Sequence, residues 1–223
     1  MRYDILYPEA FPMVECHLRK GEAVKAASDA MISMSTTIRL RGRVEGGFLS
    51  GLVRKYLTHE SFFLQTLTAE HGDGDVLLGH PLPGGIEAVT LDDTDGLMVQ
   101  KGGFLAASAG VRIRSRMQSV ARGLFSGEGF FLLHLTGKGV AFLGCYGQIH
   151  AIRLAQGEER IIDNGHLVAW PDSMRYSIEK AAGIFSSYTS GEGLVCRFRG
   201  PGTVLIQTRN PASFRQFIRN SIK

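Results

Sequence analysis

The chain has 223 residues and a formal net charge of +4 at neutral pH, a size that one β-rich domain can fill. Hydrophobic residues make up 44% of the sequence and charged residues 21%, which excludes a disordered or collagen-like chain. No stretch approaches the roughly 18 consecutive apolar residues that a membrane-spanning helix needs. The N-terminal residues show no basic segment followed by an apolar one, so we expect a cytoplasmic protein without a signal peptide.

The sequence contains three diverged copies of one unit of roughly 65 residues, a spacing typical of repeat architectures. Repeat one covers about residues 1–83 and contains the stretch MVECHLRKGEAVKAASDAMISMS, followed later by the block ESFFLQTLTAEHGDGDVLLG. Between them, apolar residues recur at helical spacing and predict a short inserted helix. These residues are Phe48, Leu49, Leu52, Val53, Tyr56 and Leu57.

Repeats two and three, at about residues 84–146 and 147–209, carry the same two blocks in the same order. Repeat two has GGIEAVTLDDTDGLMVQKGGFLAAS and then GEGFFLLHLTGKGVAFLG, and repeat three has GQIHAIRLAQGEERIIDNGHLVAW and then GEGLVCRFRGPGTVLIQ. At constant offsets, Ile86 and Leu91 of repeat two align with Ile149 and Leu154 of repeat three. Two blocks that recur in one order indicate a tandem repeat.

The local patterns within the repeats predict short strands joined by glycine-rich turns. Asn164-Gly165 lies between two apolar runs and predicts a hairpin in which both residues take positive φ. Residues 210–223 predict a C-terminal helix, with Asn210 as N-cap, Pro211 at the first position and an apolar face of Phe214, Phe217 and Ile218 that docks on the protein. The expected fold is therefore a single all-β domain over residues 1–223. Its three repeats would form a pseudo-threefold, sandwich-like or prism-like assembly with the inserted helix and the C-terminal helix.

The cysteines and histidines give no catalytic or metal-binding pattern. Cys16 and Cys196 align with apolar residues of sister repeats, which predicts buried free thiols, and Cys145 has no CxxC partner. None of the seven histidines has HxxxH or HExxH spacing, and neither His134 nor His166 has an evident carboxylate partner in the sequence. We predict no catalytic residue, no metal and no cofactor.

Two Gly-Glu-Gly tripeptides, at residues 127–129 and 191–193, resemble phosphate-binding loops only superficially. A phosphate loop needs a helix after it, whereas β-prone apolar residues follow both tripeptides. We therefore interpret them as turns. An acid–base pair of Glu128 and Glu192 is the alternative, but no feature of the sequence sets their separation.

Alternating arginines form the clearest candidate surface. The segments TIRLRGRV and VRIRSRM align residue for residue, and in a strand residues two apart share one face. Guanidinium groups suit phosphate and carboxylate ligands, so these segments predict an anion-binding surface; the alternative is a solvated strand face or ion pairs to the chain's own acids. The candidate anion-binding residues are Arg39, Arg41, Arg43, Arg112, Arg114, Arg116 and Arg175.

Several segments resemble the altered-inheritance-of-mitochondria family over nearly the whole chain, among them PLPGGIEAVTL, IIDNGHLVAW and SGEGLVCRFRGPGTVLIQTRN. The resemblance implies a β fold similar to the tryptophan RNA-binding attenuator protein, with pseudo-threefold symmetry. Mitochondrial members of this family are linked to inner-membrane organisation, and the family supplies no catalytic residues to transfer.

The sequence favours a non-enzymatic interaction or scaffold protein, which forms a homo-oligomer or binds a partner protein through strand faces or edges. An anion-binding module for RNA, acidic lipid headgroups or an acidic partner is the alternative. An enzyme with an unrecognised site is a third interpretation.

Overall fold

The structure is a computed structural model that describes residues 1–44, 63–118, 130–180 and 194–222. Within these ranges, the chain has no helix that is both long and apolar enough to span a membrane. The predicted inserted helix, both Gly-Glu-Gly tripeptides and the two glutamates at their centres lie outside the described residues.

The protein is mostly β structure with one C-terminal helix, which confirms the predicted fold class. Residues 1–83, 84–146 and 147–209 are called segments 1, 2 and 3 below. Segment 1 contains β1 (Arg2–Leu6), β2 (Met13–Leu18), β3 (Ala23–Ala27), β4 (Met31–Met34), β5 (Ile38–Val44), β6 (Phe63–Ala69) and β7 (Gly74–Gly79). Segment 2 contains β8 (Ile86–Asp92), β9 (Leu97–Gln100), β10 (Phe104–Ser108), β11 (Val111–Gln118) and β12 (Phe130–Gly144). Segment 3 contains β13 (Ile149–Leu154), β14 (Glu159–Asp163), β15 (Leu167–Pro171), β16 (Arg175–Lys180), β17 (Leu194–Arg199) and β18 (Gly202–Gln207), and α1 (Pro211–Ser221) follows.

The strands of the three segments pair in one order. In segment 1, β2 and β4 flank β7 while β3 and β5 flank β6. In segment 3, β13 and β15 flank β18 while β14 and β16 flank β17. Segment 2 has the same order, except that the long strand β12 supplies both central strands: its first half pairs with β9 and β11 and its second half with β8 and β10. This shared order supports the threefold duplication, which itself stays a prediction.

Neighbouring segments are joined by strand pairing. β3 of segment 1 pairs antiparallel with β10 of segment 2, and β9 of segment 2 pairs antiparallel with β15 of segment 3. The result is one 11-stranded sheet that runs through the three segments, with a 4-stranded sheet β1-β2-β7-β4 and a 3-stranded sheet β14-β17-β16 beside it. At each junction, a strand of one segment therefore pairs with the strand of the next segment that corresponds to β4.

The core lies in two clusters of buried side chains. The larger cluster draws mainly on segments 1 and 2 and includes Val14, Leu67, Phe142 and Leu143. The smaller cluster centres on Trp170, whose ring makes edge-on contacts with other aromatic rings of segment 3. Strict alternation on β2, where every second residue is buried, is the period-2 pattern of a strand with one face in the core.

The predicted Asn164-Gly165 hairpin is wrong. Residues 164–166 form a 3-10 turn without positive φ, in which the Asp163 carboxylate accepts a hydrogen bond from the Gly165 N–H at 2.7 Å. The strands on either side belong to different sheets, because β14 pairs with β17 whereas β15 pairs with β18 and β9. The segment is a crossover between layers, and the local turn signal could not distinguish it from a hairpin.

The C-terminal helix is confirmed, but its predicted docking is mostly wrong. The Asn210 side chain caps the helix by accepting a hydrogen bond from the Ala212 N–H at 2.8 Å. Phe214 contacts the ring of Tyr146, with centroids 5.5 Å apart, while Phe217 remains 64% exposed. The capping prediction held because it depends on neighbouring residues, whereas docking depends on a distant surface.

Candidate interaction surfaces

The outer edge of β4 is an open sheet edge: in the described part of the chain, β4 pairs only with β7. Its equivalents β10 and β15 carry a bulge at the same place, which fixes the comparison residue by residue. In each of those two strands the first four residues are buried, whereas β4 has no buried residue. The bulged residue Ile32 is 54% exposed, while Leu105 and Val168 at the same place are 0% and 1% exposed.

The three strands also differ in whether a strand of a neighbouring segment pairs with them. β10 and β15 are each covered by a strand from the segment before them, namely β3 and β9. β4 belongs to the first segment, and no strand of the described ranges takes that place. The same position in the fold is therefore covered twice within the chain and left uncovered once.

The outer edge of β14 is the complementary open edge at the other end. β14 corresponds to β3 and β9, and among the described strands it pairs only with β17. Ile161 is 36% exposed, whereas Met98 at the same place in β9 is 3% exposed. At that place in β3, the Lys25 ammonium donates hydrogen bonds to the carbonyls of Ala109 and Val111 in segment 2. In β3 and β9, the residue at this place thus lies against the following segment.

Both edges lack part of the usual protection against pairing. Natural edge strands are blunted by charged residues, proline or covering elements, and β4 carries no charge and no proline. Ile32, Met34 and Ile161 on these edges all belong to the large apolar side chains that the described structure leaves exposed. β4 is thus apolar as well as unpaired, whereas β14 carries Glu159, Arg160 and Asp163 beside the exposed Ile161.

The arginine segments are placed as the sequence predicts. β5, β11 and β16 are outer strands of their sheets in the described structure, each paired with one neighbour. Arg39, Arg112 and Arg175 occupy the same register, since they lie opposite Thr68, Thr136 and Arg199. Apolar residues that alternate with the arginines point inward: Ile38, Val111 and Ile113 are at most 5% exposed, and Leu40 is partly buried.

Some of these arginines are ion-paired and others are not. Arg41 contacts Glu70 at 2.8 Å and Arg112 contacts Asp93 at 3.0 Å. No acidic group of the described residues lies within 4.0 Å of the exposed side chains of Arg39, Arg114, Arg116 or Arg175. Arg43 lies on β5, but its side chain is outside the described structure. These contacts do not define a single anion site, and the anion-binding surface stays a prediction.

His17 links three strands through carboxylates. Its Nδ1 is 2.6 Å from Asp75 on β7, and its Nε2 is 2.9 Å from Asp4 on β1. These hydrogen bonds, first that of Asp75 and then that of Asp4, raise the pKa of His17 above its ordinary value of 6.5. The ring borders a cleft of about 930 Å³, where the N-terminal ammonium contacts Glu22 at 2.6 Å.

The same cluster contains a set of potential metal ligands. Donor atoms of Glu15, His17 and Asp75 lie within 4.8 Å of one another, and nitrogen and carboxylate oxygen are ligands that zinc accepts. Both ring nitrogens of His17 already lie at hydrogen-bonding distance from a carboxylate, so an ion would have to displace one of these contacts. We interpret the cluster as an ion-pair network that holds β1 against β2 and β7.

Protonated His17 should stabilise the fold in a defined pH range. Because its pKa is higher in the folded than in the unfolded state, this contribution is fully present below about pH 6.5 and disappears as the pH rises through the folded pKa. We expect wild type to lose stability as the pH rises above about 6.5, relative to His17→Gln, which cannot titrate. Urea unfolding of both proteins at several pH values measures the difference, and parallel pH profiles would contradict this account.

His134 has a carboxylate partner that the sequence did not reveal. Its Nε2 is 2.7 Å from the Asp172 carboxylate, which also accepts a hydrogen bond from the Gly96 N–H. Asp172 follows β15 of segment 3 while His134 lies on β12 of segment 2, so the pair ties two segments together. A sequence separation of 38 residues gives no local signal for such a contact.

The three cysteines are buried free thiols, as predicted for Cys16 and Cys196. Burial raises the pKa of Cys16 to about 12, that of Cys145 to about 11 and that of Cys196 to about 12. Thiolates are the nucleophilic form of cysteine, so these residues act as apolar core side chains.

The sequence predicted contacts through strand faces or edges but did not indicate which edges are open. Once strand pairing fixes the alignment, Ile32 matches Leu105 and Val168, and an apolar residue at this place is expected to be buried in every copy. Only the structure shows that the first copy leaves it exposed.

These observations define an all-β protein in whose described structure two strands at opposite ends of the repeat series, β4 and β14, each pair with one neighbour only. The chain belongs to the mitochondrial biogenesis AIM24 family, whose model matches residues 3–209. It is 31% identical over 221 residues to an uncharacterised protein of Streptococcus pyogenes serotype M6, an alignment that covers 96% of this chain and 88% of that protein. It is also similar to the crystal structure of a Streptococcus pyogenes protein, with a TM-score of 0.82, 29% identity and coverage of 99% of both chains.

Proposed function

We propose that this protein is a non-enzymatic scaffold that assembles with other protein chains through its two open sheet edges, β4 and β14. One observation carries the proposal: β4 has no buried residue, whereas its equivalents β10 and β15 each pair with a strand of the preceding segment and have four buried residues. A strand paired with β4 would restore the environment that this position has in the other two segments.

Burial of apolar side chains and pairing of backbone groups at the edges would both favour association. Fully burying one exposed isoleucine or methionine side chain stabilises a complex by about 1.5–3 kcal/mol, and Ile32, Met34 and Ile161 are all available. Backbone groups on the two edges would exchange water for β-ladder hydrogen bonds, each with a net contribution of about 0.5–1.5 kcal/mol. These terms oppose the loss of translational and rotational freedom.

Charged substitutions on the edges test the proposal. Ile32→Asp and Ile161→Asp place a carboxylate on an edge that association would bury, which is costly without a partner charge. Monomers should tolerate both changes, since Ile32 is more than half exposed and Ile161 lies opposite Arg197 on β17. Phe217→Asp, on the exposed face of α1, is the matched control.

The solution mass is the measurement, by light scattering across a range of concentrations. Wild type and Phe217→Asp should have masses well above the 24.4 kDa of one chain, and each edge variant should have a clearly smaller mass than wild type. A wild type that stays monomeric at all concentrations would contradict the proposal. So would edge variants that assemble like wild type while thermal unfolding shows that they are folded.

An anion-binding role for the arginine strands is a second candidate. It is favoured by Arg175, which lies directly opposite Arg199 on β17, because like charges in opposing positions destabilise a sheet unless an anion screens them. Arg114 and Arg116 add two further exposed guanidinium groups without an acidic partner in the described structure.

Binding to labelled RNA and to anionic vesicles at low and moderate salt tests this second role. The double variant Arg114→Ser/Arg116→Ser should lose binding, while Arg41→Ser, which removes an arginine already paired with Glu70, should retain most of it. Binding through phosphate contacts should also weaken steeply with salt. If wild type binds neither target at low salt, the arginine strands are solvated faces.

The cytoplasm is the location we propose, since three free thiols buried in one chain suit a reducing compartment.

A further inference from the structure

We infer that the partner at each edge is a second copy of this chain, with β14 of one copy pairing antiparallel with β4 of the next and Ile161 lying opposite Met34. This inference rests on the proposed function and specifies its partner, its direction and its register. It makes the association heterologous, because one end of the chain binds the other end of its neighbour.

The register of this pairing is observed at both junctions inside the chain. At the first junction, Lys25 of β3 lies opposite Ala107 of β10. At the second junction, Met98 of β9 lies opposite Trp170 of β15. The two pairs are equivalent, since Lys25 and Met98 hold the same place relative to β6 and β12, opposite Thr66 and His134.

The same register can be applied to the free ends. Ile161 lies opposite Arg197 on β17, the place that corresponds to Lys25 and Met98. Met34 is the second residue beyond the bulge of β4, which corresponds to Ala107 in β10 and Trp170 in β15. Transferring the register therefore sets Ile161 opposite Met34. The flanking pairs are Ile162 with Ser33 and Arg160 with Ser35.

The side chains fit this register. Ile161 and Met34 are each 36% exposed in the single chain, and their pairing would form an apolar contact like that of Met98 with Trp170, which are 3% and 0% exposed. Cross-strand apolar pairs of this kind stabilise a sheet. The register thus brings together one exposed apolar residue from each of the two edges.

The β14 edge of one copy is complementary to the β4 edge of another copy, and neither edge is complementary to itself. β4 corresponds to the strand that receives a neighbour at each internal junction, and β14 corresponds to the strand that provides it. Pairing them joins the 3-stranded sheet of one copy to the 4-stranded sheet of the next. A heterologous contact of this kind gives a ring if its rotation closes and a filament if it does not.

Mixing the two singly blocked variants tests the direction. Ile32→Asp retains a functional β14 edge and Ile161→Asp retains a functional β4 edge. Each variant alone should therefore be monomeric, while an equimolar mixture should form a 1:1 dimer of twice 24.4 kDa. The double variant Ile32→Asp/Ile161→Asp, mixed with either single variant, is the control and should leave only monomers.

Disulfide trapping tests the register. A mixture of Ile161→Cys with Met34→Cys should form a disulfide-linked dimer under mild oxidation, because directly opposed residues have Cβ atoms about 4.5–5.5 Å apart. Ile161→Cys with Ser33→Cys should not, because Ser33 would face the other side of the sheet. The native cysteines are buried and should not compete.

The outcomes separate this inference from the proposed function. If both edge variants dimerise on their own, the edges are interfaces but each pairs with itself, which overturns the inference and leaves the scaffold role standing. If the mixture dimerises but only the Ser33 pair is trapped, the direction stands and the register is wrong. If wild type never exceeds the monomer mass, both fail together.

Discussion

Replacing Trp170 by alanine should lower the free energy of unfolding by about 3–5 kcal/mol, the range observed when a buried aromatic side chain is truncated. Trp170 is fully buried and packs edge-on against Tyr176 and Phe198, with ring centroids 5.2 Å apart in both cases. It also lies opposite Met98 of segment 2, so the cavity would open both the core of segment 3 and the junction between segments. Since domains are stable by only about 5–15 kcal/mol, this single change could leave a marginal fold.

Trp170→Phe is the matched control. The indole N–H has no hydrogen-bond partner in the described structure, so phenylalanine loses volume without breaking a polar contact, and we expect a smaller loss than for alanine. Urea unfolding followed by circular dichroism compares the three proteins without depending on the tryptophan signal. An alanine variant as stable as wild type would show that this side chain is not packed as the structure places it.

Gly84→Ala should cost about 1–3 kcal/mol of stability, the usual effect of forcing atoms into a packed site. Gly84 begins segment 2 and forms a bridge with Gly147, which begins segment 3. A Cβ at Gly84 would collide with the carbonyl oxygen of Cys145 and lie 2.7 Å from the backbone nitrogen and oxygen of Gly147. Backbone atoms cannot turn away as a side chain can, so the starts of the two segments would have to separate.

Gly102→Ala is the control for this change. No atom lies within 4 Å of a Cβ built at Gly102, and its φ is not in the left-handed region. Its effect should stay within about 0.5 kcal/mol, as for most surface substitutions. Thermal unfolding of both variants measures the difference, and equal melting temperatures would mean that the contact between Gly84 and Gly147 is looser than the structure shows.

The sequence predicted those parts of the fold that depend on local pattern or on repetition. Alternating burial on β2 and the Asn210 cap follow from residues a few positions apart, and the common register of Arg39, Arg112 and Arg175 follows from the repeat alignment. The Asn164-Gly165 hairpin failed because a turn signal does not say whether the flanking strands share a sheet. The predicted docking of α1 was mostly wrong, because the apolar residues of this helix have few neighbours to contact in the described structure.

The candidate site could be predicted only in general terms. Strand edges were expected to mediate contacts, but burial is a property of the assembled sheets and no local pattern distinguishes Ile32 from Leu105. The carboxylate partners of His17 and His134 lie 58 and 38 residues away for Asp75 and Asp172, beyond the reach of motif spacing. The likeness to the tryptophan RNA-binding attenuator protein and the anion-binding role of the arginines both stay predictions.

Amide hydrogen exchange of β4 and β14 at low and high protein concentration tests the central claim most directly. Unpaired edge amides exchange rapidly, whereas amides in a β ladder are protected. We predict that protection of residues 31–34 and 159–163 rises together as the protein assembles, and that it does not rise in Ile32→Asp or Ile161→Asp. Assembly by mass without any gain of protection in these two strands would show that the chains associate through another surface.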